Sequence, residues 1–207
     1  MRPFDLLPSP TQKVLARLEL QDKAERASNL DQSIRLRQIP RETGEFLYMF
    51  LTIHAPKFAP HFLGLEIGSS GGYSAIWQGQ ALQRIGHGRL ISLDIDPHKN
   101  QLAQENIHEA DTAERIQLEV TDAKDYLRDS PSDTFQYVFM DCEKEDYLLY
   151  YDLLVKKWLQ RDSIVIADNV ISHAEELAGF LKRVESDGRV AGVIVPIGKG
   201  LSLIRRL

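Results

Sequence analysis

Four segments constrain the fold of this chain more than any bulk property: LEIGSSGGYS at 65–74, ISLDIDP at 91–97, FMDCEKEDY at 139–147 and IADNVISH at 166–173. Each is a short apolar run that stops at an acidic residue or a glycine-rich turn. Runs of that length are too short for a helix and read as buried strands. An open α/β sheet lines up such strand ends along one crevice, where ligands bind. The alternation predicts an architecture and also the place to look for chemistry.

Between these runs the spacing is helical. A first strand is expected over 62–67, then a helix over 74–85 that Gly86-His87-Gly88 ends. A second strand at 89–94 leads into Asp96-Pro97, an N-cap with proline at the first helical position. The helix after it puts Leu102, Ala103, Asn106, Ile107 and Ala110 on one side. Strands at 116–120, 136–140 and 163–167 and a helix over 147–159 continue the pattern. Ser172 and Glu175 have capping-box spacing for a helix carrying Ala174, Leu177, Ala178, Leu181 and Val184. Two β-like runs, 190–196 and 201–206, flank Ile197-Gly198-Lys199-Gly200 with no room for a helix, which predicts an antiparallel hairpin. A nicotinamide-binding domain would continue with parallel strands, so this ending argues against one.

Upstream, Pro3, Pro8 and Pro10 predict an irregular arm. Val14, Leu15, Leu18 and Ala24 suggest a helix within 11–30, whose end Asn29, Asp31 and Ser33 blur. Residues 35–40 read as a loop and 41–54 as a helix burying Phe46, Leu47, Phe50 and Leu51. With no repeat or linker, the expectation is one domain over 1–207: a helical extension at 1–55 and a Rossmann-like core at 56–207.

A length of 207 residues with 43% hydrophobic and 27% charged side chains fits an ordinary globular protein with a full core. The net charge of -5 argues against a nucleic-acid partner, which needs a basic face. One cysteine, Cys142, rules out an intrachain disulfide and suits a reducing cytoplasm. The first residues have no signal-peptide run, and no window holds the ~18 apolar residues of a membrane span. A soluble, cytoplasmic protein with no membrane partner is expected.

The motifs carry the chemistry. Gly68, Gly71 and Gly72 let the chain turn sharply and a ligand come close. Backbone N–H groups at the start of the next helix, with Ser74, can receive a carboxylate. Ser70 breaks the G-x-G-x-x-G spacing and Glu66 would repel phosphates. The turn therefore suits an ammonium-bearing ligand, such as the amino-acid end of S-adenosylmethionine. Asp94 ends the second strand, where an acid accepts from both ribose hydroxyls; Asp96 is left to cap. Thr121-Asp122-Ala123 follows the third strand, where an adenine ring would lie. Asp122 either accepts from the adenine amino group or is a plain loop carboxylate.

Asp141 ends the fourth strand and Asp168-Asn169 the fifth. Two carboxylates and an amide oxygen, without histidine or thiolate, suit a hard cation such as Mg²⁺. The bland alternative is a pair of loop caps. Lys144 reaches the same mouth and can act as a general base, or simply pair with Glu143 or Asp146. Cys142 reads as a packed thiol, and Tyr147, Tyr150, Tyr151 and Trp158 as core and dimer surface. The histidines share no metal-ligand spacing; His173 alone lies near the proposed metal pair, as a helix-start surface residue.

Together with VPIGKGLSLIRR at 195–206, these segments resemble the cation-dependent O-methyltransferases of the catechol and caffeoyl-CoA type, the small bacterial members most, from about Arg37 to Leu207. The resemblance implies a class I methyltransferase fold: a seven-stranded, mostly parallel sheet with a C-terminal antiparallel hairpin and helices on both faces. It also implies a homodimer, S-adenosylmethionine, a divalent cation and a phenolic acceptor. Position by position, it carries cofactor contacts to Glu66, Gly68, Ser74, Asp94 and Ala123, with Asp141 at the cofactor's amino group. It carries the metal to Asp141, Asp168 and Asn169, and the catalytic base to Lys144. Gln38, Ile39 and Pro40 fall where relatives line the cofactor site. Ser172 departs from the tryptophan of plant members, and Lys199 from the acidic residue often found in the hairpin. The expected reaction is methyl transfer to a hydroxyl of a catechol-like or hydroxycinnamoyl acceptor. The rivals are a metal-independent methyltransferase of this fold and a non-catalytic S-adenosylmethionine-binding regulator.

Overall fold

The structure, a computed structural model, describes residues 1–28, 30–31, 35–129 and 134–207. Its frame is one sheet built from β1 (Leu63–Ile67), β2 (Arg89–Asp94), β3 (Ile116–Val120), β4 (Phe135–Met140), β5 (Leu159–Ala167), β6 (Val190–Val195) and β7 (Leu201–Arg206). The spatial order is β3-β2-β1-β4-β5-β7-β6. β1 to β5 pair in parallel, and β7 runs antiparallel to both β5 and β6. The chain winds outward from β1 to β3, then restarts at β4 on the other side of β1. That reversal is the switch point at which open α/β sheets bind ligands. The C-terminal hairpin closes the sheet as expected.

Side chains alternate across a strand, so each strand feeds two layers. Tyr137 and Phe139 of β4 enter the layer covered by α1 (Ser9–Ala27), α2 (Arg41–His54), α3 (Tyr73–Ile85) and α4 (Pro97–Glu109). Val138 and Met140 enter the layer covered by α5 (Ala123–Asp129), α6 (Tyr147–Leu153) and α7 (Ala178–Glu185). Trp77 anchors the first layer and Trp158 the second, both fully buried. Tyr147, Tyr150 and Tyr151 are also core, so none of that aromatic group is left for a subunit surface. No helix among the described residues is long and apolar enough to cross a membrane.

Several local expectations change. Pro3–Leu6 is a 3-10 turn, and α1 begins at Ser9 with Pro10 in its first turn, where a missing N–H leaves no bond unmade. The N-terminus is thus ordered helix and no irregular arm. Ala24 and Leu102 face solvent, Phe46 and Phe50 are half-buried, and Asn29 and Ser33 lie outside the described residues. The helix expected over 147–159 stops as an α-helix at Leu153 and widens into a π-type turn over Leu154–Trp158. The wider turn brings Trp158 onto Phe135, ring centroids 5.4 Å apart, with Nε1 donating to the Leu127 carbonyl at 2.9 Å. The Ser172–Glu175 capping box does not form. The Ile171 and Ser172 N–H groups donate instead to the Lys199 carbonyl, at 3.2 and 3.0 Å, and α7 begins only at Ala178.

Helix α2 packs closely on α3 at Gly44. A Cβ on Gly44 would stand 2.3 Å from Trp77 Nε1, whereas one on Gly179 of α7 meets nothing within 4 Å. Alanine gains about 0.5–1 kcal/mol of helix propensity over glycine, but overpacking costs about 1–3 kcal/mol. Gly44→Ala is therefore expected to destabilise the fold by about 1–2 kcal/mol in urea unfolding. Gly179→Ala should be neutral or stabilising by up to about 1 kcal/mol. Equal behaviour of the two variants would contradict the packing.

Candidate active site

The site is assembled from strand tips. Beyond β1 the backbone enters the left-handed region at Gly68 (φ 105°) and Gly72 (φ 82°). A Cβ on Gly68 would lie 2.2 Å from the Asp141 carbonyl oxygen. Only glycine lets the tip of β1 pass the tip of β4 so closely. Ser70 is also left-handed (φ 45°). Its Oγ donates to the Leu36 carbonyl at 2.6 Å and its N–H to Asp94 Oδ2 at 2.7 Å. Asn106 Nδ2 donates to the Gly71 carbonyl at 2.8 Å, tying the turn to α4.

This turn is one wall of a cavity of about 600 Å³ at the carboxyl ends of the parallel strands, within the usual range for small-molecule pockets. Gly68, Ser74, Asp94, Asp122, Ala123, Asp141, Lys144 and Asn169 all line it. Asp94 accepts from Ser70 N–H and, through Oδ1, from Asp96 N–H at 3.0 Å. Each oxygen keeps a second lone pair for a ligand. Asp122 Oδ1 accepts from Lys124 N–H at 2.8 Å, so it caps the turn into α5. Asp96 caps α4 as its place before Pro97 predicts.

Two expected site residues stand behind the wall. Glu66 is fully buried under α3, accepting from Gln78 Nε2 at 2.6 Å and from the Ser92 hydroxyl. Desolvation pushes its carboxyl up to about 7, against the opposing bonds from Ser74, Ser92 and Gln78. Asp168 is 1% exposed. Its Oδ1 accepts from Asn169 N–H at 2.7 Å, while Oδ2 is buried with no hydrogen-bond partner. Desolvation, then the charge of Asp141, holds its carboxyl well above the ordinary range.

Around Asp168 the strand tips gather a polar cluster. Asp141 Oδ1 accepts from Asn169 Nδ2 at 2.8 Å and from Lys144 Nζ at 3.3 Å. Lys144 also donates to the Cys142 carbonyl at 2.8 Å, which fixes its ammonium at the mouth. An orphaned carboxylate oxygen beside a second carboxylate and an amide fits a hard cation. Among the described residues no group of three or more His, Cys, Asp or Glu forms a metal site, so the set depends on the amide of Asn169. Burial pushes the Cys142 thiol up, which suits a packed group.

Sequence reasoning missed the far wall. Leu36 and Arg37 line the cavity beside Gln38 and Ile39, and Arg37 pairs with Glu143 across the mouth. Nothing in the loop-like pattern of 35–40 marks Leu36 as the residue that packs on Gly71. His173 and Lys199 also line the cavity, and His173 precedes α7 instead of starting it.

A family model described as O-methyltransferase matches residues 16–207. A catechol O-methyltransferase of Niastella koreensis is 34% identical over 117 residues, 55% of this chain and 51% of that protein. One from Mycobacterium tuberculosis is 32% identical over 107 residues, 52% of this chain and 47% of its own. The chain thus spans about half the length of these curated relatives. The crystal structure of an O-methyltransferase from Bacillus cereus in complex with SAH superposes with a TM-score of 0.76 at 21% identity, covering 94% of this chain and 91% of that one.

Glu66 makes stability depend on pH. Its folded value of about 7 lies above the ordinary 4.5, so its contribution is full below 4.5 and is lost as pH rises through 7. Urea unfolding between about pH 5 and pH 8 is expected to show falling stability. Glu66→Gln should flatten that fall, leaving the part Asp168 contributes and the opposing part of His54, whose burial lowers its value. Parallel curves for the two proteins would mean that Glu66 ionises without penalty.

Proposed function

This chain belongs to the O-methyltransferase family, and we propose that it transfers a methyl group from S-adenosylmethionine to a hydroxyl of a catechol-like or hydroxycinnamoyl phenol, assisted by a divalent cation, Mg²⁺ foremost. One observation carries the reading: the glycine turn and the Asp141–Asn169–Lys144 cluster face a single cavity. The turn suits a ligand with an ammonium group and a ribose; the cluster suits a vicinal diol.

Ser74 and the N–H groups at the start of α3 would receive the cofactor's carboxylate. Asp141 would meet its amino group, Asp94 its ribose, and Asp122 and Ala123 its adenine; Gly68 leaves it room. Glu66 would act from behind by fixing Ser74. The sulfonium supplies an electrophilic methyl group whose leaving group is a neutral thioether. Asp141, Asp168 and Asn169 would hold the cation, which supplies positive charge that favours the ionised phenol. Lys144, held at the mouth by the Cys142 carbonyl, would take the acceptor's proton. Holding both reactants in one cavity can account for about 7–11 kcal/mol of the barrier.

A metal-independent transfer has one observation in its favour. Asp141 already accepts from Lys144 and Asn169, so part of the cluster's charge is compensated by the chain itself. We further propose that residues 1–207 act as one domain, in a reducing cytoplasm, as a homodimer. The single Cys142 supports the compartment, and the exposed Val193 and Ile194 on the edge strand β6 support the subunit contact.

With 1,2-dihydroxybenzene as acceptor, EDTA is expected to abolish turnover and added Mg²⁺ to restore it. Asp168→Asn keeps the bond to Asn169 N–H but should lower kcat/KM by about 100-fold or more, with calorimetric affinity for S-adenosylmethionine changed less than about threefold. Lys144→Met should lower kcat by about 100-fold or more. Turnover that survives both EDTA and Asp168→Asn removes the cation from the reaction. Cofactor binding with no turnover across catechols and hydroxycinnamates would favour the regulatory rival.

A further inference from the structure

Most cations lining the cavity are paired. Arg26 pairs with Asp22, Arg37 with Glu143, Lys124 with Asp146 and Lys144 with Asp141. Among the described residues the ammonium groups of Lys99 and Lys199 have no hydrogen bond or ion pair, and of these two Lys199 stands on the segment bonded to Ile171 and Ser172, just past Asn169, in the same cavity as His173 and Lys144. In a chain of net charge -5 an unpaired cation at that place is against the general balance.

Its position is fixed by the fold. The Lys199 carbonyl accepts from the N–H groups of Ile171 and Ser172, and the Gly200 carbonyl accepts from Val170 N–H at 3.0 Å. The flanking glycines are pressed against neighbours. A Cβ would lie 2.2 Å from Thr43 Oγ1 at Gly198 and 2.3 Å from Ile171 Cγ1 at Gly200. The hairpin tip is thereby pinned between α2 and the segment that follows Asn169. From there the Lys199 charge reaches the Asp168 carboxylate. The adjacent His173 ring is engaged through Nδ1 with Ser172 Oγ at 2.8 Å.

We propose that Lys199 is a specificity-determining residue that selects acceptors bearing a carboxylate on the ring or its side chain over neutral catechols. The inference rests on the methyl-transfer reading of the same cavity. A diol held near Asn169 and Lys144 presents the rest of its ring to the walls, and a carboxylate there meets an ammonium whose one carboxylate neighbour, the buried Asp168, is not within ion-pair distance. Such a partly screened ion pair corresponds to about tenfold in affinity.

The test compares 3,4-dihydroxybenzoate with the neutral 3,4-dihydroxybenzamide, by kcat/KM and by calorimetric binding to the cofactor-loaded enzyme. The parent chain is expected to favour the benzoate by about tenfold or more. Lys199→Gln should bring the ratio within about threefold and Lys199→Glu should invert it. Lys182→Gln, which removes a cation on α7, should leave the ratio where it was. Retained S-adenosylmethionine binding checks that each variant is folded. Equal use of both acceptors by the parent chain, or a ratio that ignores Lys199, overturns the inference and leaves the transferase reading intact. A Lys199-dependent binding preference without turnover upholds the inference and overturns the transferase reading. Failure to bind or turn over either acceptor overturns both.

Discussion

The approach of Gly68 to the Asp141 carbonyl is the contact on which the rest of the site depends. Gly68 N–H donates to the Leu93 carbonyl at 2.9 Å, and Asp141 N–H donates to the Ile67 carbonyl at 3.1 Å. The tips of β1, β2 and β4 are thus bonded past the ends of their strands. Two backbones this close leave no space for a side chain, and Gly68 has a φ that L side chains rarely adopt. The turn at 68–72 then folds back, offers Ser70 N–H to Asp94 and delivers the start of α3 to the cavity edge. The glycine turn and the polar cluster share a cavity because these strand ends are locked side by side.

Two buried carboxylates lie near that contact, and their surroundings treat them differently. Glu66 is met by donors from Gln78, Ser92 and Ser74, so most of its lone-pair capacity is used; its raised value reflects the cost of burial that those bonds only partly offset. Asp168 has one satisfied oxygen and one with no donor. An unmade bond on a buried acceptor costs about 1–3 kcal/mol. Glu66, with its donors, avoids that cost; Asp168 does not, and the charge of Asp141 adds to it. This contrast separates a carboxylate whose bonds are made inside the frame from one that keeps an oxygen unbonded.

Much of this was legible in the sequence. The apolar runs gave the strands, Asp96-Pro97 gave the start of α4, and the acids at the strand ends mapped to neighbouring tips because Met140 at the end of β4 pairs with Ala167 at the end of β5. What escaped was set by distant parts of the chain. Strand alternation tells which face Glu66 occupies, but not that α3 seals it from the cavity with Gln78. The turns at 171–177 have helical composition, yet the Lys199 carbonyl takes the N–H groups of Ile171 and Ser172, and no local pattern reports a partner on the hairpin. The π-type turn before β5 likewise answers to Phe135 and Leu127, both far away in sequence.

The segments ahead of β1 show how nonlocal bonds finish the site. Glu19 on α1 accepts from the Tyr73 hydroxyl at 2.6 Å and from Arg41 Nε at 2.9 Å, joining α1, α2 and the start of α3 at one carboxylate. An isolated surface ion pair is worth little. A half-buried acid shared by two elements fixes their relative position instead. Leu36 N–H donates to Glu25 Oε2 at 2.9 Å, and the Leu36 carbonyl accepts from Ser70 Oγ. One peptide segment is thereby clamped between α1 and the glycine turn, with Leu36 and Ile39 buried beneath it. A stretch with no regular structure acquires order from these anchors, which offset the conformational entropy it loses. The cavity accordingly draws its walls from both sides of residue 55, with Leu36, Arg37, Gln38 and Ile39 supplying part of them.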